Sequence, residues 1–192
     1  MPASVRNDKS DVIAAAMRVL SENGLPGLSM RRIADELDVQ VSALYWHFPN
    51  KQALLAAVSA QIVGAGSGSV EMDAIARDLR DRLLAYQDGA EIVSSSLALG
   101  LLELPALARF IDAARAAGLD AAAAEVAADT VVHYVIGYTF HEQQRVHAAV
   151  VGAADASADL APARIDDRSD GFEAGLAMII AGVRAAASVT AS

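Results

Sequence analysis

The chain contains no cysteine. That excludes a disulfide framework, a thiolate zinc site and a cysteine nucleophile. Aromatic residues are scarce, at 5% of 192, although 54% of the chain is hydrophobic. Apolar content carried by Ala and Leu rather than by rings favours an all-helical core over a sheet. No uninterrupted apolar run reaches the roughly 18 residues of a membrane helix. Met1 to Ser10 is polar and the apolar residues after it are periodic, so no signal peptide is visible and a cytoplasmic protein is expected. Gly64, Gly66 and Gly68 have neither a preceding strand nor a following Gly-Lys-Ser/Thr, so they are not a phosphate loop. No serine sits in a Gly-x-Ser-x-Gly elbow. His141-Glu142 is followed by His147, six residues from His141. That spacing puts the two rings on nearly opposite helix faces, where they cannot share a zinc ion. No catalytic residue, metal or cofactor is expected.

Positive charge is also in short supply. Fifteen Lys and Arg face 24 Asp and Glu, for a net charge of −9. The deficit is uneven: residues 1–51 carry six of each sign, so all −9 falls on residues 52–192.

What is present centres on Leu28 to Leu55, LSMRRIADELDVQVSALYWHFPNKQALL. Ser29 is a good N-cap, and Ile33, Ala34 and Leu37 then share a face at helical spacing. Asp38-Val39-Gln40 is a polar break suited to a helix-turn-helix elbow. The next helix is predicted from Val41 to His47. It turns Val41, Leu44 and Phe48 inward and Ser42, Tyr45 and Trp46 outward, with Ala43 and His47 between. Such a short helix cannot stand alone. Asn50 can cap the following helix, whose stripe is Leu54, Leu55, Val58 and Ile62. Arg31 and Arg32 break a local rule, because positive charge in a first turn opposes the helix dipole at about 0.3–1 kcal/mol each. Rules are broken where function requires it, and arginines beside a helix-turn-helix elbow fit phosphate or guanine.

Around this stretch, Asp8 or Asn7 can cap a first helix with the stripe Val12, Ile13, Ala16, Met17 and Leu20, ended by Gly24. Gly64 to Ser69 is the clearest boundary and by composition could be a free linker. Further helices are predicted from Met72 to about Gln87, over Glu91 to Leu102, and from Pro105 at the first helical position to Gly118. Asp120 caps a long helix to about Ala149. It is apolar on more than one side and must be covered on both. Gly152 to Asp170 reads as a long acidic loop with a short helix near Ala156–Leu160. The last helix spans about Gly171 to Ala187, with Gly175 and Gly182 leaving room for a close neighbour.

The central stretch resembles the DNA-binding headpiece of the TetR family, the one-component repressors named after the tetracycline repressor. Leu28-Ser29, Arg31, Ile33-Ala34, Leu37, Val39, Leu44-Tyr45-Trp46-His47, Asn50-Lys51 and Ala53-Leu54-Leu55 carry the likeness. Softer motifs extend it: the run Leu83 to Ala90, His133 to Gly137 with Glu142-Gln143, and Phe172 to Gly182 look like that family's effector domain. The resemblance implies an all-α fold in two parts. Residues 1–52 would form a helix-turn-helix DNA-binding domain, and residues 53–192 a domain for effector binding and dimerisation. Gly64 to Ser69 would then be a conformational joint rather than a free linker. The long and last helices would pair with their copies in a four-helix dimer interface. It implies a homodimer that binds a palindromic operator in double-stranded DNA, represses transcription and is released by a small molecule. The alternative is an effector-blind structural DNA-binding dimer.

By the same resemblance Tyr45, His47 and Lys51 position phosphates. Arg31, Gln40 and Ser42, with Val41 and Ala43, would face base edges, and Ser29 and Arg32 complete the DNA-binding set. Val41, Ser42 and Ala43 replace a more polar, proline-containing run, so a different target sequence is expected. The ligand-binding residues would be Ile75, Leu79, Val93, Leu97 and Phe110, with His133 and His141 as polar points. Aligned through Asp88-Gly89-Ala90, the family's metal-binding histidine position holds Val93. Its metal-site carboxylate position holds His141, and two polar drug-contacting positions hold Ile75 and Leu79. Magnesium requires oxygen ligands. The expected effector is therefore largely apolar and is not magnesium-tetracycline.

Overall fold

The computed structural model describes residues 8–150, 152 and 165–190. Among these residues there are nine helices and no strand: α1 (Lys9–Gly27), α2 (Met30–Glu36), α3 (Val41–Tyr45), α4 (Lys51–Val63), α5 (Met72–Leu84), α6 (Gly89–Ala98), α7 (Pro105–Ala116), α8 (Ala121–Val150) and α9 (Ile165–Thr190). They fall into two compact units, one of residues 1–62 with 85–103 and the other of residues 63–84 with 104–192. α4 and α6 both join the three headpiece helices.

In the first unit α1 packs on α2, and α2 on α3. Asp8 caps α1 with a reciprocal box, accepting from the Ser10 and Asp11 amides while its own amide donates to Asp11. Such a box satisfies donors that would otherwise be free. Gly24 ends the regular part of α1 at φ 62, and Leu25–Gly27 continue as a further turn. The fully buried core includes Val12, Leu20, Ile33, Leu44, Phe48, Leu54 and Val58, matching the sequence stripes. α3 is shorter than its predicted span. Trp46 and His47 form a turn, and the His47 and Phe48 amides both donate to the Leu44 carbonyl, at 3.0 and 2.9 Å. This tightening swings Phe48 into the core and leaves Pro49 outside any helical ladder.

In the second unit α8 packs on α5, α7 and α9, and α5 also packs on α7 and α9. Asp120 caps α8 as expected, its Oδ1 accepting from Ala123 N–H at 2.9 Å. Pro105 occupies the first turn of α7, where its missing N–H costs nothing. Phe172 is fully buried, stacked on Tyr134, edge-on to Tyr138 and covered by the Arg80 guanidinium at 4.7 Å.

Three helices besides α3 have bounds that differ from expectation. α5 stops at Leu84 because Tyr86 to Gly89 form a turn with Asp88 at φ 58. α6 spans Gly89–Ala98 and closes on Gly100 at φ 65. α9 begins at Ile165, so residues 165–170 are helical rather than loop. The short helix expected near residues 156–160 lies outside the described residues.

Within α9, Gly171–Ser188 is long and apolar enough to cross a membrane by length and composition. Yet Glu173 lies in it, ion-paired to Arg77 at 2.9 Å, and Phe172, Leu176 and Val183 are buried against the other helices.

Candidate nucleic-acid interface

The elbow between α2 and α3 is closed by Asp38 at φ 52, a left-handed conformation that aspartate tolerates better than most side chains. The Val39 amide returns to the Ala34 carbonyl at 3.0 Å, completing the turn. α3 is then held from beneath by Leu44 and Phe48, each 1% exposed. With its inner face anchored, its outer face is presented as the wheel required. Tyr45 is 51% exposed and Trp46 90%, while Gln40 and Ser42 are exposed and Val41, Ala43 and His47 half-buried. Gln40 is the N-cap of α3 but makes no side-chain capping bond, so its amide is not committed to the helix.

On α2, Ser29 is exposed and its hydroxyl accepts from the Arg32 amide at 3.2 Å. Arg31 and Arg32 are both exposed, and among the described residues neither guanidinium enters an ion pair. Of the neighbouring acids, Glu36 is taken by Arg18 of α1 at 2.8 Å. At the start of α4, Asn50 Oδ1 accepts from the Ala53 amide at 2.8 Å, beside half-buried Lys51. The first unit therefore gathers the ten expected DNA-binding residues on α2, α3 and their flanks. It leaves two cations, an amide, hydroxyls and two rings open to a partner. Free guanidiniums, a phenol and an amide suit phosphate oxygens and base edges.

Sequence reasoning passed over two further residues here. Trp46, the most exposed large hydrophobic residue described, sits at the end of α3. Its outward placement on the helical wheel was the available signal. Lys9 lies over the Phe48 ring at 5.1 Å, bringing another cation beside the His47–Phe48 turn. Nothing local in the sequence marks that pairing, since 39 residues separate the two. Nearby, Asp8 is held below the usual carboxylate range by hydrogen bonds from the Ser10 side chain and from the Asp11 and Ser10 amides.

The seven expected ligand-binding residues divide between the units. Val93 and Leu97 belong to the first; Ile75, Leu79, Phe110, His133 and His141 belong to the second. Ile75, Leu79, Val93 and Phe110 are buried and Leu97 is half-buried. His133 and His141 are exposed, so neither ring is enclosed within its own unit. His133 Nδ1 lies 2.7 Å from the Asp129 carbonyl one turn back on α8. In the second unit an open cleft of about 640 Å³ lies among Gly68–Asp73, α7 and α9, and none of the seven lines it. Among the described residues no group of three His, Asp or Glu side chains is placed to hold a metal ion.

Sequence comparison accords with this geometry. The family described as "Bacterial regulatory proteins, tetR family" matches residues 12–58, and "Tetracyclin repressor-like, C-terminal domain" matches residues 64–187. The tetracycline repressor protein class A from transposon 1721 of Escherichia coli is 35% identical, over 90% of this chain and 88% of its own. Among solved structures, Mycobacterium smegmatis BioQ superposes with a TM-score of 0.78 at 38% identity, covering 93% of this chain and 99% of that one. BioQ bound to its natural double-stranded DNA operator gives the same TM-score at 37% identity, with the same coverage of both chains. The exposed helix-turn-helix and these two matches, which span most of the sequence, have one meaning: the chain belongs to the TetR family and is a DNA-binding transcriptional regulator.

Proposed function

We propose that the protein is a cytoplasmic, homodimeric repressor that binds a palindromic operator and is released from it by a small, largely apolar effector other than magnesium-tetracycline. The observation that carries the DNA half is the set of unpaired Arg31 and Arg32 beside exposed Gln40, Ser42, Tyr45 and Trp46 on a recognition helix anchored by Leu44 and Phe48. The operator-bound form of a relative 37% identical to this chain supports it. Arg31, Gln40 and Ser42 are assigned to base edges, with Val41 and Ala43 beside them. Tyr45, His47 and Lys51 are assigned to phosphates.

Dimerisation rests on apolar surface that a single chain leaves bare. Val126 on α8 is 67% exposed and Met178 on α9 74%. Two such helices per chain, joined to their copies, would cover both. A dimer would also supply the two recognition helices needed to read half-sites about 34–36 Å, or a multiple of that, apart.

The effector reading rests on side-chain chemistry. Ile75, Leu79 and Val93 offer no oxygen to magnesium, and the related tetracycline repressor shares only about a third of its residues with this chain. An apolar ligand with one or two hydrogen-bonding groups suits such residues. It would loosen DNA only by preferring one arrangement of the protein, and a hundredfold loss of operator affinity needs about 2.7 kcal/mol of coupling.

The test is a gel shift with the DNA immediately upstream of the protein's own gene, repeated across a panel of metabolites. Retarded DNA released by an apolar member, but not by magnesium with tetracycline at low micromolar concentration, is expected. Release by magnesium-tetracycline would defeat the effector reading. No retardation at low salt would defeat the operator reading.

A further inference from the structure

The segment that follows α4 is glycine-rich, and composition alone describes it as loose. Its surroundings in the second unit do not. The Ser67 amide donates to Asp78 Oδ2 at 3.1 Å, and Arg82 Nε donates to the same oxygen at 3.0 Å. Arg109 Nη2, from α7, donates to the Ser69 carbonyl at 2.6 Å. Asp78 and Arg82 are mostly shielded, with side chains 21% and 33% exposed. Charge-assisted bonds in partly dry surroundings hold better than surface pairs.

The glycines have a specific use here. Gly64 (φ 52) and Gly66 (φ 79) lie where the guanidiniums approach the backbone. A Cβ at Gly64 would sit 2.8 Å from Arg82 Nη1, and one at Gly66 would overlap Arg109 Nη1. Gly68, at a similar φ of 78, has nothing within 4 Å. Two of the three glycines therefore admit a cation rather than merely permit a bend.

We propose that Asp78, Arg82 and Arg109 lock the Gly64–Val70 joint in one conformation, and that Arg109 and Asp78 are thereby positioning residues for DNA binding. The second half rests on the operator reading above. α4 begins at Lys51, directly after the recognition turn, and ends at Val63, so any displacement of α4 along the chain must carry Gly64. A locked joint restrains that displacement, and an open one releases it. Binding that favours the locked or the open joint would thereby act on the headpiece. Releasing several ordered backbone residues raises the entropy that DNA binding must remove, enough for about a tenfold change in affinity.

The experiment uses the full chain and the variants Arg109→Ala, Arg109→Lys, Gly66→Ala and Gly68→Ala. Proteinase K nicking within residues 64–70, mapped by mass spectrometry, is expected to quicken about tenfold in Arg109→Ala and in Gly66→Ala, on the scale of the freed backbone entropy. Arg109→Lys keeps a donor and a charge and should restore much of the protection. Gly68→Ala bears the same positive-φ penalty without meeting a guanidinium, and should nick more slowly than Gly66→Ala. With helix content and melting temperature unchanged, Arg109→Ala should weaken binding to the protein's own upstream DNA about tenfold. Unchanged nicking in Arg109→Ala overturns the lock. Faster nicking with unchanged DNA affinity overturns the positioning role. Failure of the wild type to bind that DNA sinks the operator reading and the positioning role with it, while the nicking rates still decide the lock.

Discussion

The arginines of α2, in the first unit, and of α5, in the second, are used in opposite ways. In the first, Arg31 and Arg32 stand exposed at the start of α2, against the helix dipole and without an ion pair among the described residues. In the second, α5 carries Arg77, Arg80 and Arg82, and each is engaged. Arg77 bridges Asp73 and Glu173, Arg80 holds Glu142 at 2.9 Å, and Arg82 holds Asp78 at 3.0 Å. An arginine already holding carboxylates has little left for phosphate. An unpaired one keeps its full field for an incoming anion. The same contrast bears on how a chain of net charge −9 binds DNA: the acidic excess lies outside residues 1–51, and the α5 arginines are taken by Asp73, Asp78, Glu142 and Glu173. Apolar surface shows the reverse pattern. The second unit leaves Val126 and Met178 bare on long helices, whereas the first leaves its exposed rings, Tyr45 and Trp46, at the end of α3.

The sharpest way to break the comparison is to remove what holds the recognition helix. Phe48 is 1% exposed and, with Leu44, holds the five-residue α3 from beneath. Phe48→Ala should cost about 3–5 kcal/mol of stability. It should abolish operator binding even at temperatures where the second unit remains helical by circular dichroism. Retention of wild-type operator affinity would show that α3 is not anchored in this way.

Next in size is assembly. Met178, 74% exposed on α9, should become buried if two chains meet there. Met178→Asp would then place an unpaired charge in an apolar interface. The dimer dissociation constant should rise about a hundredfold or more, read by sedimentation velocity across micromolar concentrations. Half-buried Ile180 offers a second site, and Ile180→Asp should act in the same direction. A wild type that sediments as a monomer would remove the reading altogether.

Smaller effects separate the roles of the free side chains in the first unit. Arg31→Ala should relax the choice of one base pair by about 1–3 kcal/mol. Tyr45→Ala and Lys51→Ala should weaken binding to all sequences alike and lower the salt slope by about one charge for Lys51. Equal loss on every sequence in all three variants would place Arg31 on phosphate and turn the sequence reading over to Gln40 and Ser42.

Much of this was legible because it is local. The caps at Asp8, Ser29, Asn50 and Asp120, the proline opening α7 and the apolar stripes of α1 and α2 depend on residues within a turn or two of each other. The structure places the caps and the proline as read and buries Val12, Ala16, Leu20, Ile33 and Ala34, while Ile13, Met17 and Leu37 are only half-buried. The end of α3 was misplaced because Phe48 is drawn to the core by distant partners, which curtails the helix before its propensity does. Asp88 shows the other limit. Asp88, at φ 58, lies in the turn between α5 and α6. But the buried Asp88 carboxylate also accepts from the Leu25 amide at 2.8 Å, 63 residues earlier, at the point where Gly24 ends the regular part of α1. The Ser59–Ser96 hydroxyl pair, 2.8 Å apart and buried, joins α4 to α6 across 37 residues. The guanidiniums laid on Gly64 and Gly66 are a third case. No period or spacing announces a contact between side chains so far apart.

The smallest effect probes the engaged arginines and has a definite sign in pH. Asp73 is held below its ordinary value of 3.8, chiefly by the hydrogen bond from Arg77 at 2.8 Å. Arg77 is itself held more firmly protonated than usual, by Glu173 first and Asp73 second. A carboxylate whose pKa is lower in the folded state contributes stability above its unfolded pKa, and that contribution fades as pH falls through the folded value. The Asp73 side chain is 43% exposed, so solvent screening keeps its share below about 1 kcal/mol. In urea unfolding, Asp73→Asn should be slightly less stable than wild type at about pH 7 and about pH 5, with the gap closing towards about pH 3. Salt at about 1 M should shrink the gap at neutral pH, since exposed pairs are screened. Arg77→Ala should reproduce the loss and add the bonds to Glu173, whereas Arg31→Ala, which removes no ion pair, should leave the unfolding midpoint where it is across this range. A gap that widened as pH fell would mean that Asp73 is destabilised as a carboxylate, and that α5 is not held by its arginines in the way the contrast between the units requires.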